Sequence, residues 1–330
     1  MIQPSDPADV PGVAGAVVAG TRRVMMMTHT GRDEAREVAL AAAKSLADHG
    51  LVVRMPALEA AELGIDAASY EPPIEICETA EDCELALVIG GDGTILRAAE
   101  LTHESGTPVL GVNLGHVGFL AEAEHDAVEF TIDAIVHRRY QTEDRLTLEV
   151  RVVQDNAEIF RTFAMNEASV EKASRERMIE VIIEVDGRPL SRFGCDGVVC
   201  ATPTGSTAYN FSAGGPVVWP SVEALLMVPI SAHALFARPL VVSPDSVLAV
   251  EMIKRNDGSG VLWCDGRRSV PLPPGARIEV SRGAKPVRLV RLHQAPFTDR
   301  LVAKFNLPVD GWRGERFRSD SVDRGGDAGA

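Results

Sequence analysis

Five apolar residues, Leu85-Ala86-Leu87-Val88-Ile89, run straight into Gly90-Gly91-Asp92-Gly93-Thr94, and the segment from Ile95 to His103 has helical character. A buried strand that opens into a glycine-rich turn at a helix start is the outline of a phosphate site. Glycine lets backbone N–H groups approach an anion, and the helix N-terminus adds partial positive charge. Asp92 does not fit a plain phosphate cradle, because its carboxylate repels the ligand. It makes sense if it binds Mg²⁺ or takes a proton from a hydroxyl about to receive a phosphoryl group. The competing reading is a hairpin, for which Asp-Gly is a strong signal. A hairpin needs a second strand after Thr94, whereas Leu96-Arg97-Ala98-Ala99-Glu100-Leu101 is patterned as a helix.

The preceding residues set this motif in an α/β frame. Val24 to His29 reads as a buried strand, Glu34 to His49 as an alanine-rich helix stopped by Gly50, and Leu51 to Met55 as a second strand. An irregular acidic stretch containing Pro72-Pro73 leads to the Leu85–Ile89 strand, and Pro108 to Val112 forms the next. Strands alternating with helices predict a parallel sheet, with ligands beyond the strands' carboxyl ends. The loops after Ile89 and Val112 fall at such ends. In the second, Asn113-Leu114-Gly115-His116-Val117-Gly118-Phe119-Leu120, Phe119 is placed either to pack on a base or ring or to close over the core. Glu124 to Tyr140 reads as a further helix that ends the domain.

From Leu146 the pattern changes to period two, in Leu146–Val153, Ile179–Val185 and Val287–Leu292, which predicts a mostly antiparallel β half. Within it Asn166-Glu167 stands between apolar neighbours and offers both donors and acceptors to the hydroxyls of a ribose; the alternative is an edge-strand or turn pair. Between Thr202 and Ser212 lie six hydroxyl side chains, a density suited to sugar, amide or phosphate, with Tyr209 able to stack. Trp263-Cys264-Asp265-Gly266 reads as a strand and turn, so Asp265 either faces the site or only shapes a hairpin. Phe297 to Phe305 is an amphipathic helix.

Composition narrows the classes. A net charge of −14 opposes nonspecific binding to nucleic acid or anionic membrane, and means that a bound polyphosphate needs a divalent ion and locally placed cations. The five cysteines are odd in number and lack a C-x-x-C pair, which predicts free thiols in a reducing cytoplasm and no zinc site. No run approaches the length of a membrane span, and no basic segment precedes the mildly apolar Val10–Gly20, so no signal peptide is expected. The absence of Gly-Lys excludes a Walker A loop, and the absence of G-x-G-x-x-G excludes the usual dehydrogenase fingerprint. The expected layout is a flexible extension over 1–21, an α/β domain over 22–143, a β-rich dinucleotide-binding domain over 144–294, a docking helix over 295–312 and a disordered tail over 313–330.

Taken together, Gly90-Gly91-Asp92-Gly93-Thr94, Asn113 to Phe119, Asn166-Glu167 and the run from Asp196 through Ser212 resemble the NAD kinase family, in the family's order and from roughly Val24 to Trp312. The glycine motif alone is shared with phosphofructokinases and with diacylglycerol and sphingosine kinases. The Asn-Glu pair and Thr202-Pro203-Thr204-Gly205-Ser206-Thr207-Ala208-Tyr209 select NAD kinases. The resemblance implies a Rossmann-like N-terminal domain with a β-rich C-terminal one. It implies transfer of a phosphoryl group from ATP, or in some bacterial relatives inorganic polyphosphate, to the 2′-hydroxyl of the adenosine ribose of NAD. Asp92 matches the general base, Gly93 lies against phosphates, and Arg97 matches a position that meets one. Asn166, Glu167 and Asp196 match dinucleotide contacts, as do Thr207, Ala208, Tyr209 and Ser212, with Asn210 and Phe211 between them. Phe119, Arg177 and Asp265 are further candidates. Mg²⁺ is the expected cofactor with no direct protein ligand, and a homo-oligomer, tetramer or dimer, the expected assembly. Many bacterial members carry Arg where this chain has Gly194, so a phosphate or ribose contact is either missing or supplied by Arg192 or Arg177.

Two other classes share part of this pattern. A lipid or sugar kinase with the same glycine motif gives no reason for the Thr202–Ser212 loop. A non-catalytic NAD(P)-binding regulator has no use for Asp92 as a base.

Overall fold

Met25, Met26 and Met27 are all buried, as a strand covered on both faces requires. Their strand, Arg23–Thr28, lies inside an eight-stranded sheet. Val24 and Met26 pack with the helix Asp33–Asp48, whose inward stripe of Ala35, Ala39, Ala42 and Ala43 permits a close approach. Met25 and Met27 face the opposite layer, with Ile95, Ala98 and Ala99 of the helix Asp92–Thr102. The strand order is Glu75–Ile76, Val52–Met55, Arg23–Thr28, Leu85–Ile89, Val109–Asn113, Val287–Arg291 and Gln141–Arg145, with Ala123–Glu124 beside Val109–Asn113. Every pairing is parallel except that between the last two strands of that order. This is the Rossmann-like N-terminal domain. The computed structural model describes residues 21–114, 118–121, 123–124, 128–174, 177–254, 259–293 and 296–309. The expected extension (Thr21 apart), the tail over 313–330 and Gly115-His116-Val117 lie outside them.

Two antiparallel six-stranded sheets form the C-terminal domain. One centres on Gly197–Ala201 and Glu167–Lys172, the other on Leu248–Met252 and Arg277–Arg282. Alternate residues of both, among them Val150, Val170, Val181, Val198, Leu262 and Ile278, meet in one shared core. Met165 and Phe163 leave that domain to join the core under the Asp92–Thr102 helix, so the two domains are welded by apolar contact.

The fold departs from the sequence reading at three places. Val287–Arg291 does not stay in the β-rich domain; it returns to the N-terminal sheet, pairing parallel with Val109–Asn113 and antiparallel with Gln141–Arg145. Period-two alternation reports an extended strand but carries no information about its partners. The helix expected over Glu124 to Tyr140 is shorter, Val128–Val136, and the Arg22 guanidinium donates to its last carbonyls at Ile135 and Val136. Beyond it Arg138 turns left-handed, at φ 53°. Third, the acidic stretch after Met55 contains a helix, Ala57–Leu63, opened by Pro56 and closed by left-handed Gly64. Among the described residues no helix is long and apolar enough to cross a membrane.

Candidate active site

The Leu85–Ile89 strand ends at Gly90, whose φ of 155° and whose approach to Thr94, with a Cβ only 2.6 Å from Oγ1, exclude any other residue. Gly91 caps the Asp92–Thr102 helix, and neither Gly91 nor Gly93 has a neighbour where a Cβ would stand. Both line a cleft of about 630 Å³. Thr28 to Arg32 and Arg97 form its other near walls, and Asp265-Gly266-Arg267 of the C-terminal domain closes the far side. A helix N-terminus with open backbone at an interdomain cleft is the anion site that the glycine motif predicts.

Asp92, the first residue of this helix, is half-buried and held from outside it. Its carboxylate accepts the backbone N–H groups of Phe119, at 3.1 Å, and Leu120, at 3.2 Å. Gly118 makes the approach feasible, since a Cβ there would collide with Asp92 Oδ1. The Phe119 ring itself turns away from solvent. It is buried against Phe297 and Phe305, at 5.8 and 5.9 Å between ring centres, the placement that closes over the core. Its apolar ring gains more from burial under the C-terminal helix than from an open cleft.

Arg97 lines the cleft while its Nη2 donates to the Thr28 carbonyl and to Glu59, each at 2.8 Å. Glu59 is buried, and its other oxygen accepts the Thr28 N–H at 2.8 Å. Burial pushes the Glu59 carboxyl up from its ordinary value and Arg97 opposes the shift. Sequence reading missed Glu59 because it passed over the helix that carries it; the Pro56 and Gly64 brackets were the available signal.

Across the cleft, Asp265 adopts φ 53° at a strand turn and buries its carboxylate. That carboxylate accepts the N–H groups of Met165 (3.0 Å), Asn166 (2.7 Å) and Glu167 (3.3 Å) and pairs with Arg268 at 2.8 Å. Asp265 is therefore both the hairpin residue and the clamp that shapes the Asn166-Glu167 corner. Glu167 is buried beside it. Burial, and then the Asp265 charge, push the Glu167 carboxyl up to about 8, with the Tyr209 N–H acting the other way. Burial, then Glu171, Glu167 and Asp196, raise the Tyr209 phenol, so these four side chains share one neighbourhood.

The hydroxyl-rich stretch is a short 3₁₀ turn, Thr204–Thr207, followed by one helical turn, Tyr209–Ser212. Its hydroxyls do not all face a ligand. Thr202 donates to the Met165 carbonyl at 2.6 Å, Ser206 to the Val218 carbonyl at 3.0 Å, and both are fully buried. Thr207, Ala208, Tyr209 and Ser212 reach the surface. Asn210 does not: it is fully buried, and its amide donates to the Ser206 and Pro216 carbonyls over Gly215. A side chain sealed under its own turn braces the loop. The Phe211 ring lies against Phe305 at 4.7 Å.

Asp196 is drawn to Lys172 at 2.5 Å, a partner the sequence reading did not name; that contact and then Ser231 and His233 hold its carboxyl below the ordinary range. The Arg192 guanidinium pairs with Glu180 at 2.8 Å on the surface. Arg177 is exposed before the Ile179–Val185 strand and is not part of the cleft wall. Among the described residues no cluster of three or more His, Cys, Asp or Glu side chains is arranged to hold a metal ion. All five cysteines are unpaired.

A Rossmann-like domain that sets a glycine turn and a helix N-terminus across a cleft from a β-sandwich defines a two-domain phosphotransferase. The ATP-NAD kinase N-terminal domain model matches residues 24–140 and the ATP-NAD kinase C-terminal domain model residues 165–292. The NAD kinase of Thermobifida fusca is 56% identical over 94% of this chain and 96% of its own length, and NAD kinase 2 of Streptomyces avermitilis 59% over 89% and 97%. An Archaeoglobus fulgidus NAD kinase solved in complex with ATP superposes with a TM-score of 0.64 at 25% identity, covering 86% of this chain and 98% of its own. Yeast NADH kinase complexed with NADH shares the fold, with a TM-score of 0.78 at 23% identity over 88% and 89%. The chain belongs to the NAD kinase family, and its enzymatic activity is that of an NAD kinase.

Proposed function

We propose that the cleft between the glycine turn and the Asp265 turn transfers the terminal phosphoryl group of ATP to the 2′-hydroxyl of the adenosine ribose of NAD, with Asp92 as general base. The observation that carries this reading is the position of Asp92. It is a carboxylate fixed by two backbone N–H groups at the first residue of a helix whose open amides face the cleft. The phosphate chain lies on the N–H groups of Gly91 and Gly93, with Arg97 beside it. Asn166 and Glu167 meet the ribose, and Tyr209, Thr207, Ala208 and Ser212 border the rest of the dinucleotide. As the ribose oxygen bonds to the γ-phosphorus, its proton passes to the Asp92 carboxylate and the bond to the β–γ bridging oxygen breaks, releasing ADP. The ATP bound to the Archaeoglobus fulgidus relative supports the donor. Inorganic polyphosphate offers the same oxygens to the same turn.

The divalent ion arrives with the triphosphate as part of the substrate. Its role is to neutralise phosphates that would otherwise meet Asp92 in a chain of net charge −14. Exposed Leu235 and Phe236 support association of copies into a dimer or tetramer, and the unpaired cysteines support a reducing cytoplasm. The test is NADP formation from NAD with ATP and Mg²⁺, coupled to an NADP-specific dehydrogenase, with polyphosphate in a parallel arm. Turnover must vanish with excess chelator; persistence would contradict the substrate role of the ion.

A further inference from the structure

A second cavity, of about 610 Å³, lies between the edge strand Gln141–Arg145 and the helix Phe297–Phe305. The guanidiniums of Arg145, Arg291 and Arg300 line it together with His293, and Glu143 is the one carboxylate among the described residues of its wall. Arg145 is 5% exposed, and its Nη2 meets Glu143 at 3.1 Å. Its Nε is buried without a hydrogen-bond partner. Burial, and then the Arg291 charge, push the Arg145 guanidinium down to about 10 against the pull of Glu143, with Arg300 adding to the repulsion. A buried donor without an acceptor, beside other cations, is costly unless an anion completes it. At the mouth stands Trp219, 44% exposed, with its ring edge-on to Phe297 at 5.2 Å.

We propose that this cavity is an inhibitory site for a phosphate group, free or carried by a nucleotide, anchored on Arg145. Glu143 accepts from both Arg145 Nη2 and, at 2.7 Å, Arg291 Nε; a tetrahedral dianion adds oxygens for the guanidinium donors that remain, which converge from different elements. The link to catalysis is the Phe119–Ala121 segment. Arg300 Nη1 donates to the carbonyls of Phe119 at 3.2 Å and Ala121 at 2.7 Å, and Arg291 Nη1 reaches that of Leu120 at 3.5 Å. The N–H groups of Phe119 and Leu120 hold Asp92. A phosphate in the cavity competes for these guanidinium donors, loosens the segment and releases Asp92 from its fixed position. The inhibitory effect rests on the reading of Asp92 as the base; the binding does not.

The experiment titrates inorganic phosphate and AMP into the full chain by calorimetry, and follows kcat at saturating Mg·ATP and NAD. The parent should bind phosphate and lose turnover without a change in KM. Arg145→Gln, and Arg145→Lys as the variant that keeps the charge and the fold, should weaken phosphate binding at least about tenfold and turn over normally when phosphate is absent. Arg97→Gln, in the catalytic cleft, should leave the calorimetric signal intact. Tighter binding of AMP than of phosphate, dependent on Arg145, identifies a nucleotide through Trp219; equal binding identifies free phosphate. Absence of binding to the parent, or binding equal in the parent and both Arg145 variants, overturns the proposal. Phosphate that binds through Arg145 without changing kcat would retain the site and refute its inhibitory coupling to Asp92.

Discussion

Gly118 lies directly against the carboxylate of Asp92, so close that a Cβ there would collide with Oδ1. The contact lets the Phe119 and Leu120 N–H groups reach the carboxylate, and it makes Gly118 a positioning residue. Gly118→Ala should therefore push Asp92 off its place while leaving the domain cores untouched. A displacement of about 1 Å at a catalytic group costs roughly a hundredfold in rate. The expected result is a kcat lower by about that factor with an unchanged Kd for NAD and an unchanged melting temperature. Unchanged kcat would show that the Gly118 contact does not position the base.

Glu59 holds Arg97 at 2.8 Å from beneath the cleft. Glu59→Gln keeps an acceptor for the Thr28 N–H but removes the charge that orients the guanidinium. A charge-assisted hydrogen bond contributes about 1.5–3 kcal/mol, so KM for ATP should rise about tenfold or more if that orientation serves phosphate binding. Steady-state kinetics with ATP and NAD varied separately checks it. A rise in KM for NAD alone would place Arg97 on the wrong substrate.

Much of this was legible in the residues and part was not. The strand–glycine–helix junction at Ile89–Asp92 was readable because apolar run, turn and helix pattern agree locally. Asn166-Glu167 was readable as a polar pair at a strand end. Hidden were the features set by distant chain: the return of Val287–Arg291 to the first sheet, the Asp265 carboxylate under Asn166, and the Phe119 ring under Phe305. A list of six hydroxyls between Thr202 and Ser212 also could not reveal that Thr202 and Ser206 turn inward to carbonyls. Local pattern reports which residues are polar, and long-range packing decides where they point.

Glu167 sets a pH dependence. With its carboxyl raised from the ordinary 4.5 to about 8, it stays protonated at neutral pH in the folded protein while its unfolded counterpart is ionised. The folded state then binds more protons, so this group's contribution to stability falls as pH rises from about 4.5 to about 8. Glu167→Gln should flatten the melting temperature across that window. Because glutamine matches the neutral acid in shape and acceptor placement, NAD affinity at pH 7 should stay within about threefold of the parent. A large loss of affinity at pH 7 with an unaltered stability slope would show that Glu167 is ionised.

The central claim is that Asp92 takes the proton from the ribose hydroxyl. Asp92→Asn preserves size and the acceptor for a backbone N–H but removes the base. General-base loss typically costs about 10²–10⁴ in rate, or roughly 3–5.5 kcal/mol of barrier. The measurement is kcat for NADP formation on Asp92→Asn, with folding shown by circular dichroism and NAD binding by calorimetry. The account predicts a folded protein that binds NAD at least as tightly as the parent, since a negative charge near the pyrophosphate is gone, and turns over at least about a hundredfold more slowly. A folded Asp92→Asn enzyme working within about threefold of the parent would show that Asp92 only shapes the turn.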